Sequence, residues 1–215
     1  MQCVTDLAKL RDSVISRVRN LSAIVGPIKP PLSSVDRQAL AFVTIELDNL
    51  VIVGLRQYTK SSLLRSRTAA GDRITANVSP NSVGEAAALI FSSLNPAKYV
   101  KKGSPVVINE EDEIAFRDPK QAEKVLLDYA ASNIPNFALA LSLNALIFSE
   151  LKTCRHFFAH RARNTFENVR DFAALQGIAN IEMPERLLVH GRPTTGTRFL
   201  DGWLGELETF FDLAA

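Results

Sequence analysis

Cysteine is nearly absent from this chain, with two residues in 215, Cys3 and Cys154. Two thiols cannot build a disulfide framework, and they fit a reducing, cytoplasmic setting better than an oxidising one. Long apolar runs are missing as well. The stretch up to Asp12 carries Asp6, Lys9, Arg11 and Asp12 without an unbroken apolar segment, so no secretory signal is expected there. The longest apolar segment, Phe137 to Phe148, is interrupted by Ser142 and Asn144 and is too short to span a bilayer, which argues against a membrane partner. No Walker-type or dinucleotide glycine motif occurs. The run Gly191-Arg192-Pro193-Thr194-Thr195-Gly196 follows no convincing strand and reads as a loop, so no cofactor is expected. A nucleophile elbow is missing too, which leaves serine-histidine-aspartate catalysis without support. There is no internal repeat and no low-complexity tract, and the net charge of +2 by itself says little about partners.

What is present is helix signal. At 47% hydrophobic and 22% charged residues the composition is that of a folded protein, and the length suits a single domain over residues 1–215, one able to bury roughly 70% of its unfolded-chain surface. Val4, Leu7, Leu10, Val14, Val18 and Leu21 recur at three and four residues, predicting a first helix to about Ile24. Ser33 or Ser34 can cap a long second helix from Val35 to about Ser66, weakened only at Gly54. Ser82 caps a short helix that Asn95-Pro96 stops. Residues 97–117 read as an inserted loop or lid, with a strand piece at 106–108 and an acidic run from Glu110 to Glu113. Asp118-Pro119 starts a helix over 120–131. The apolar run from Phe137 to Phe148 is expected to be one buried core helix. Another is expected from His156 to about Leu175, and a last one over 198–213 with Phe199, Trp203, Leu207 and Phe210 on one stripe.

Charge is unevenly placed. Arg56, Lys60, Arg65, Arg67 and Arg73 oppose only Asp72, and Arg155, Arg161, Arg163 and Arg170 oppose only Glu167, while the C-terminal segment is acidic. If both basic regions face one side they make a surface for a polyanion; otherwise they are ordinary solvated faces.

Two of the three histidines fall in Arg155-His156-Phe157-Phe158-Ala159-His160-Arg161. Arginine offers a planar, permanently charged fork for phosphate oxygens, and histidine exchanges protons near neutrality. In a continuous helix His156, His160, Arg163, Glu167 and Arg170 share a polar stripe, and Arg155 lies about 140° from His160. Thr153 as a cap would put Arg155 in the first turn, where helix N–H groups attract phosphate.

These residues resemble the signature of the HEPN domain family, an arginine, a polar residue and a histidine four to six positions after the arginine. The resemblance covers about residues 35–176, and the apolar segment before the motif fits it. It implies an all-α, antiparallel helical bundle with a long second helix, and a metal-independent endoribonuclease in which the RNA 2′-hydroxyl attacks the adjacent phosphate, leaving a 2′,3′-cyclic phosphate and a 5′-hydroxyl. By the same resemblance His160 assists proton transfer, Arg155 holds the scissile phosphate, His156 orients the cleft, and Glu46 on the second helix is a candidate acidic partner, against the alternative of a solvent-facing glutamate. Arg161, Arg163, Arg56 and Lys60 are the candidate RNA-binding cations. A homodimer with a composite cleft is implied, as is a toxin or antiviral role with a regulatory or antitoxin partner. The alternative keeps the fold as a non-catalytic dimerisation or RNA-binding module. A third class is a metal site, since His156 and His160 have H-E-x-x-H spacing with Cys154 and His190 as further ligands, but Phe157 replaces the glutamate. Cys154 beside Arg155 is a minor candidate nucleophile.

Overall fold

Apolar spacing of three and four residues produces helix throughout. The computed structural model describes residues 6–215; Cys3 and Val4 lie outside the described residues. Among the described residues there are ten α-helices, one 3-10 turn at Glu110–Asp112 and no strand. The helices are α1 (Leu7–Val25), α2 (Ser34–Leu63), α3 (Val83–Leu94), α4 (Pro96–Lys101), α5 (Pro119–Asp128), α6 (Ile134–Leu141), α7 (Ile147–His160), α8 (Arg163–Leu175), α9 (Pro184–Val189) and α10 (Phe199–Ala214). The fold is all-α.

Local signals set many of the ends. The Ser33 hydroxyl accepts from the Asp36 N–H at 3.1 Å while the Asp36 carboxylate accepts from the Ser33 N–H at 2.8 Å, a reciprocal cap that starts α2. The Ser33 hydroxyl, donating to the Asp36 carboxylate at 2.7 Å, and then the Ser33 N–H hold that carboxyl below its ordinary range. Ser82 accepts from the Glu85 N–H at the start of α3, and Asp118 accepts from the Lys120 N–H at the start of α5.

The chain divides into two compact units. The first contains the chain up to Val14, Val51–Asn144 and Phe210–Ala215; the second contains Ile15–Leu50 and Ala145–Thr209. In the first, Leu7, Leu10, Leu55, Phe91, Phe116 and Phe210 are fully or almost fully buried. Phe137 stacks against Tyr58 at 5.0 Å and meets Phe210 edge-on at 5.5 Å. The Tyr58 hydroxyl donates to the Ala214 carbonyl at 2.6 Å and accepts from Asn133 at 2.8 Å, so a buried polar group is satisfied. Burial pushes that hydroxyl's pKa well above its usual value. Gly54 is the helix-weakening residue of α2, and its reason is contact: a Cβ there would lie 2.5 Å from the Phe211 ring.

In the second unit Leu40, Val43, Leu47, Leu151, Val169, Leu187 and Trp203 form the buried apolar set, and α7 packs on α8 and α8 on α9. Glu150 is buried here with three bonds. Arg192 grips it with both terminal nitrogens at 3.2 and 2.6 Å, and the Trp203 indole N–H donates to it at 2.8 Å. Arg192 also lies over the Phe199 ring at 4.5 Å.

Several expectations change. Residues 96–101 are helical, because Pro96 begins a helix as readily as it ends one. Residues 106–108 form no strand; Ile108 instead packs with Ala87, Ala88 and Phe91, next to Tyr99 and Ile114, which makes this segment part of the first unit's core. The apolar run 137–148 is not one buried helix. It breaks at residues 142–146, with Asn144 in the left-handed region at φ 48, and Leu139, Leu143 and Leu146 are exposed. The helix expected from His156 to Leu175 is two helices. Arg161 adopts a left-handed backbone at φ 46, and the Thr165 hydroxyl bonds both the N–H and the carbonyl of Ala162 to begin α8. The polar stripe from His156 to Arg170 is therefore interrupted after His160. Between the helix expected to end near Leu175 and the one expected from 198, where no helix was expected, lies α9.

Among the described helices, α2 has the length and composition to cross a bilayer, with an 18-residue window of mean hydropathy 1.6. It is 56% buried in that window and carries buried Thr44, Asp48, Thr59 and Lys60, the pattern of a core helix.

Candidate functional site

The heptad occupies the C-terminal half of α7, in the second unit. Thr153 lies inside the helix and caps nothing, because α7 starts at Ile147, where the Glu206 carboxylate accepts the Ile147 N–H at 2.7 Å. Arg155 is thus in the body of a helix, away from its N-terminal amides, and the expected helix-end contribution to phosphate binding does not arise there. Burial raises the Glu206 carboxyl above its ordinary value, a shift the Ile147 N–H and nearby Arg192 partly oppose.

The Arg155 Nε lies 3.2 Å from Asp48 Oδ2 on α2; the carboxylate side chain is 2% exposed and the arginine side chain 27%. A nearly buried anion thereby fixes the direction of a guanidinium that still reaches solvent. His156 and His160 are exposed, one turn apart, with ring centroids 4.6 Å apart in an edge-on arrangement. Arg155 and His160 are five residues apart on one helix, hence about 140° around it. One copy of α7 presents the histidine pair and the guanidinium on different sides.

Arg161 sits one residue past the helix. With Ser34, Arg37, Gln38 and Glu185 it lines a cleft of about 240 Å³ within the second unit. Arg37 was not among the sequence candidates. Its Nε is buried without a hydrogen-bond partner among the described residues, and its Nη1 contacts the Met183 sulfur at 3.7 Å. The signal that could have found it is its place in the first turn of α2, but nothing in the sequence pairs that turn with residue 161.

The remaining candidates are placed differently. Arg163 is exposed on α8 and pairs with Glu167 at 3.0 Å, one turn on. Arg56 and Lys60 belong to the first unit, where both meet Glu113, Arg56 at 3.2 Å, with side chains 16%, 3% and 4% exposed respectively. Those two cations neutralise a buried carboxylate and do not form an open surface for RNA. Glu46 pairs with Arg17 at 3.3 Å and accepts from Asn49 at 3.2 Å. The carboxylate that meets Arg155 is Asp48, two residues further, which the sequence reading missed.

Cys154 is fully buried, and burial, reinforced by the nearby Glu150 carboxylate, pushes its thiol up to about 12, so it is neither a reactive nucleophile nor a ready thiolate ligand. His190 is engaged through Nδ1 with the Gly191 carbonyl at 2.7 Å. Among the described residues no three His, Cys, Asp or Glu side chains converge as metal ligands, so the metal grouping of His156, His160, Cys154 and His190 is not assembled.

No family model matches this chain, and no curated protein or solved structure is significantly similar to it.

Proposed function

We propose that this chain is a metal-independent endoribonuclease of the HEPN type, acting in the cytoplasm as a homodimer. The observation that carries the reading is the exposed His156–His160 pair on a helix whose Arg155 is held by a buried carboxylate of the long second helix. In that reaction the RNA 2′-oxygen bonds to the adjacent phosphorus while the bond to the 5′-oxygen breaks. The 2′-hydroxyl proton leaves, and a proton is delivered to the departing 5′-oxygen. His160 serves as the proton-transfer group, Arg155 holds the phosphate and offsets its developing charge, and His156 orients the site. Asp48 takes the positioning role first expected of Glu46. Arg161, in its cleft with Arg37, offers charge to an adjoining phosphate of the strand.

Because Arg155 and His160 diverge around α7, two copies related by a twofold axis are needed to bring one protomer's histidine to the other's arginine. A toxin or antiviral effector with a regulatory partner protein fits such an activity. The second reading, a dimerising or RNA-binding module without catalysis, is favoured by the engagement of Arg155 with Asp48, which gives that arginine a structural role.

The test is cleavage of RNA by the purified protein in EDTA. Products ending in 2′,3′-cyclic phosphate, and activity lost in His160→Ala, an exposed position whose replacement leaves the core intact, support the nuclease. Cleavage that His160→Ala leaves unchanged overturns it, and RNA retention without cleavage by the unaltered chain selects the binding module.

A further inference from the structure

The basic cluster of the first unit was only partly absorbed by the Glu113 ion pairs. Its other members converge on a separate cleft. Lys9, Arg65, Arg67, Arg73, Ser66 and Asp6 line a concavity of about 300 Å³, at the small end of the range of ligand sites. Four cations face it against one carboxylate, and Asp6 is already engaged, its Oδ1 accepting the Ala8 N–H at 2.9 Å at the start of α1. None of the four cations has an ion-pair partner among the described residues.

Two further observations point to a ligand. Ser66 is 5% exposed, lines the cleft, and its hydroxyl has no hydrogen-bond partner among the described residues. Buried hydroxyls are nearly always paired, so this one is a donor awaiting an acceptor. The buried Nε of Arg65 is likewise without a partner, while its Nη2 is held by the Val78 carbonyl at 3.2 Å, which fixes the guanidinium in place. Arg67 is steadied in the same way by the Gly71 carbonyl at 2.8 Å.

We propose that this cleft binds a terminal phosphate group, a phosphomonoester or diphosphate carrying two or more negative charges. Guanidinium forks match phosphate oxygens in pairs, the lysine adds a point charge, and the serine hydroxyl donates to a further oxygen. Among the described residues no aromatic side chain lines the cleft, so it offers no platform for a base and reads the phosphate itself. The inference is independent of the nuclease reading, which rests on residues of the second unit.

Titration calorimetry on the full chain at constant ionic strength tests it, using pyrophosphate, inorganic phosphate and chloride, and DNA oligonucleotides with either a 5′-phosphate or a 5′-hydroxyl, which lack the 2′-hydroxyl needed for cleavage. Pyrophosphate is expected to bind where chloride does not, and Arg67→Gln or Arg73→Gln, both exposed positions, to weaken it by about 10-fold or more. Ser66→Ala is expected to weaken it several-fold while leaving thermal stability unchanged or higher, which a purely structural serine would not do. Tighter binding of the 5′-phosphorylated strand than of pyrophosphate assigns the ligand to a nucleic-acid end; equal or weaker binding assigns it to a small phosphate compound. Strands with and without the 5′-phosphate that bind equally and at least as tightly as pyrophosphate, or pyrophosphate binding unaffected by Arg73→Gln and Ser66→Ala, overturn the proposal.

Discussion

Replacing Arg155 by methionine removes a guanidinium from a carboxylate that is 2% exposed, and the penalty follows from the two ends of the pair. Removing one partner of a buried ion pair costs about 3–5 kcal/mol. Arg155→Met is therefore expected to cost about that much. Asp48→Asn leaves Arg155, which is 27% exposed and can hydrate its charge, so about 1–2 kcal/mol is expected. The double variant Arg155→Met with Asp48→Asn carries no charge in the pair and is expected to lose no more than Asp48→Asn alone. The coupling is then about 3–5 kcal/mol, the whole Arg155→Met penalty. Urea unfolding followed by helical circular dichroism at pH 7 gives each term. Additivity within about 0.5 kcal/mol refutes the reasoning. The cycle also decides how activity is read: Arg155→Met alone removes a large part of the roughly 5–15 kcal/mol that holds a domain together, so loss of cleavage there reports unfolding as much as chemistry. The double variant keeps the fold and lacks the guanidinium, and under the nuclease reading it is folded and inactive.

Two further outcomes are expected. Ala130, exposed just past α5, has a left-handed backbone at φ 49; that conformation costs a non-glycine residue about 1–2 kcal/mol, and glycine gives back part of the gain in unfolded-state entropy, so Ala130→Gly should stabilise by about 0.5–1 kcal/mol and raise the melting midpoint by about 1–4 °C. An unchanged or lower midpoint contradicts this. Glu206 has a folded-state pKa raised chiefly by burial from its reference of 4.5, so its ionisation opposes folding as pH rises through that raised value; Glu206→Gln, which still accepts the Ile147 N–H, should be more stable than the unaltered chain at pH 7, with the difference closing toward pH 4 in a melting series. A difference independent of pH would assign the effect to packing instead.

The helical class, the long α2 and the amphipathic α10 were legible because each rests on a local signal: periodic apolar residues, a reciprocal serine–aspartate cap, an Asp-Pro start. The breaks inside apolar or polar runs were not. Ser142–Leu146 and Arg161–Ala162 contain no glycine or proline, and the left-handed residues there, Asn144 and Arg161, are ones the chain can place in either conformation at a cost of about 1–2 kcal/mol. Such a choice is decided by packing on both sides of the break, for which a sequence window carries no term.

The same division governs the charges. Glu46 and Asp48 are two residues apart on α2, hence about 200° around it, so only one of them can face α7 in the second unit, and nothing local says which. Packing gives Arg155 to Asp48 and Arg17 to Glu46. In the first unit Arg56 and Lys60, one turn apart, share a face and meet Glu113 from the acidic run. Counted along the chain these two cations and Arg65, Arg67 and Arg73 form one basic region; in space the region splits. The part with a buried carboxylate becomes core. The part that meets only Asp6, already a helix cap, keeps its charge directed at a cleft beside a buried serine hydroxyl with no acceptor. A cation is a candidate for binding when the fold supplies it no anion, a criterion that separates Arg67 from Lys60 although seven residues divide them.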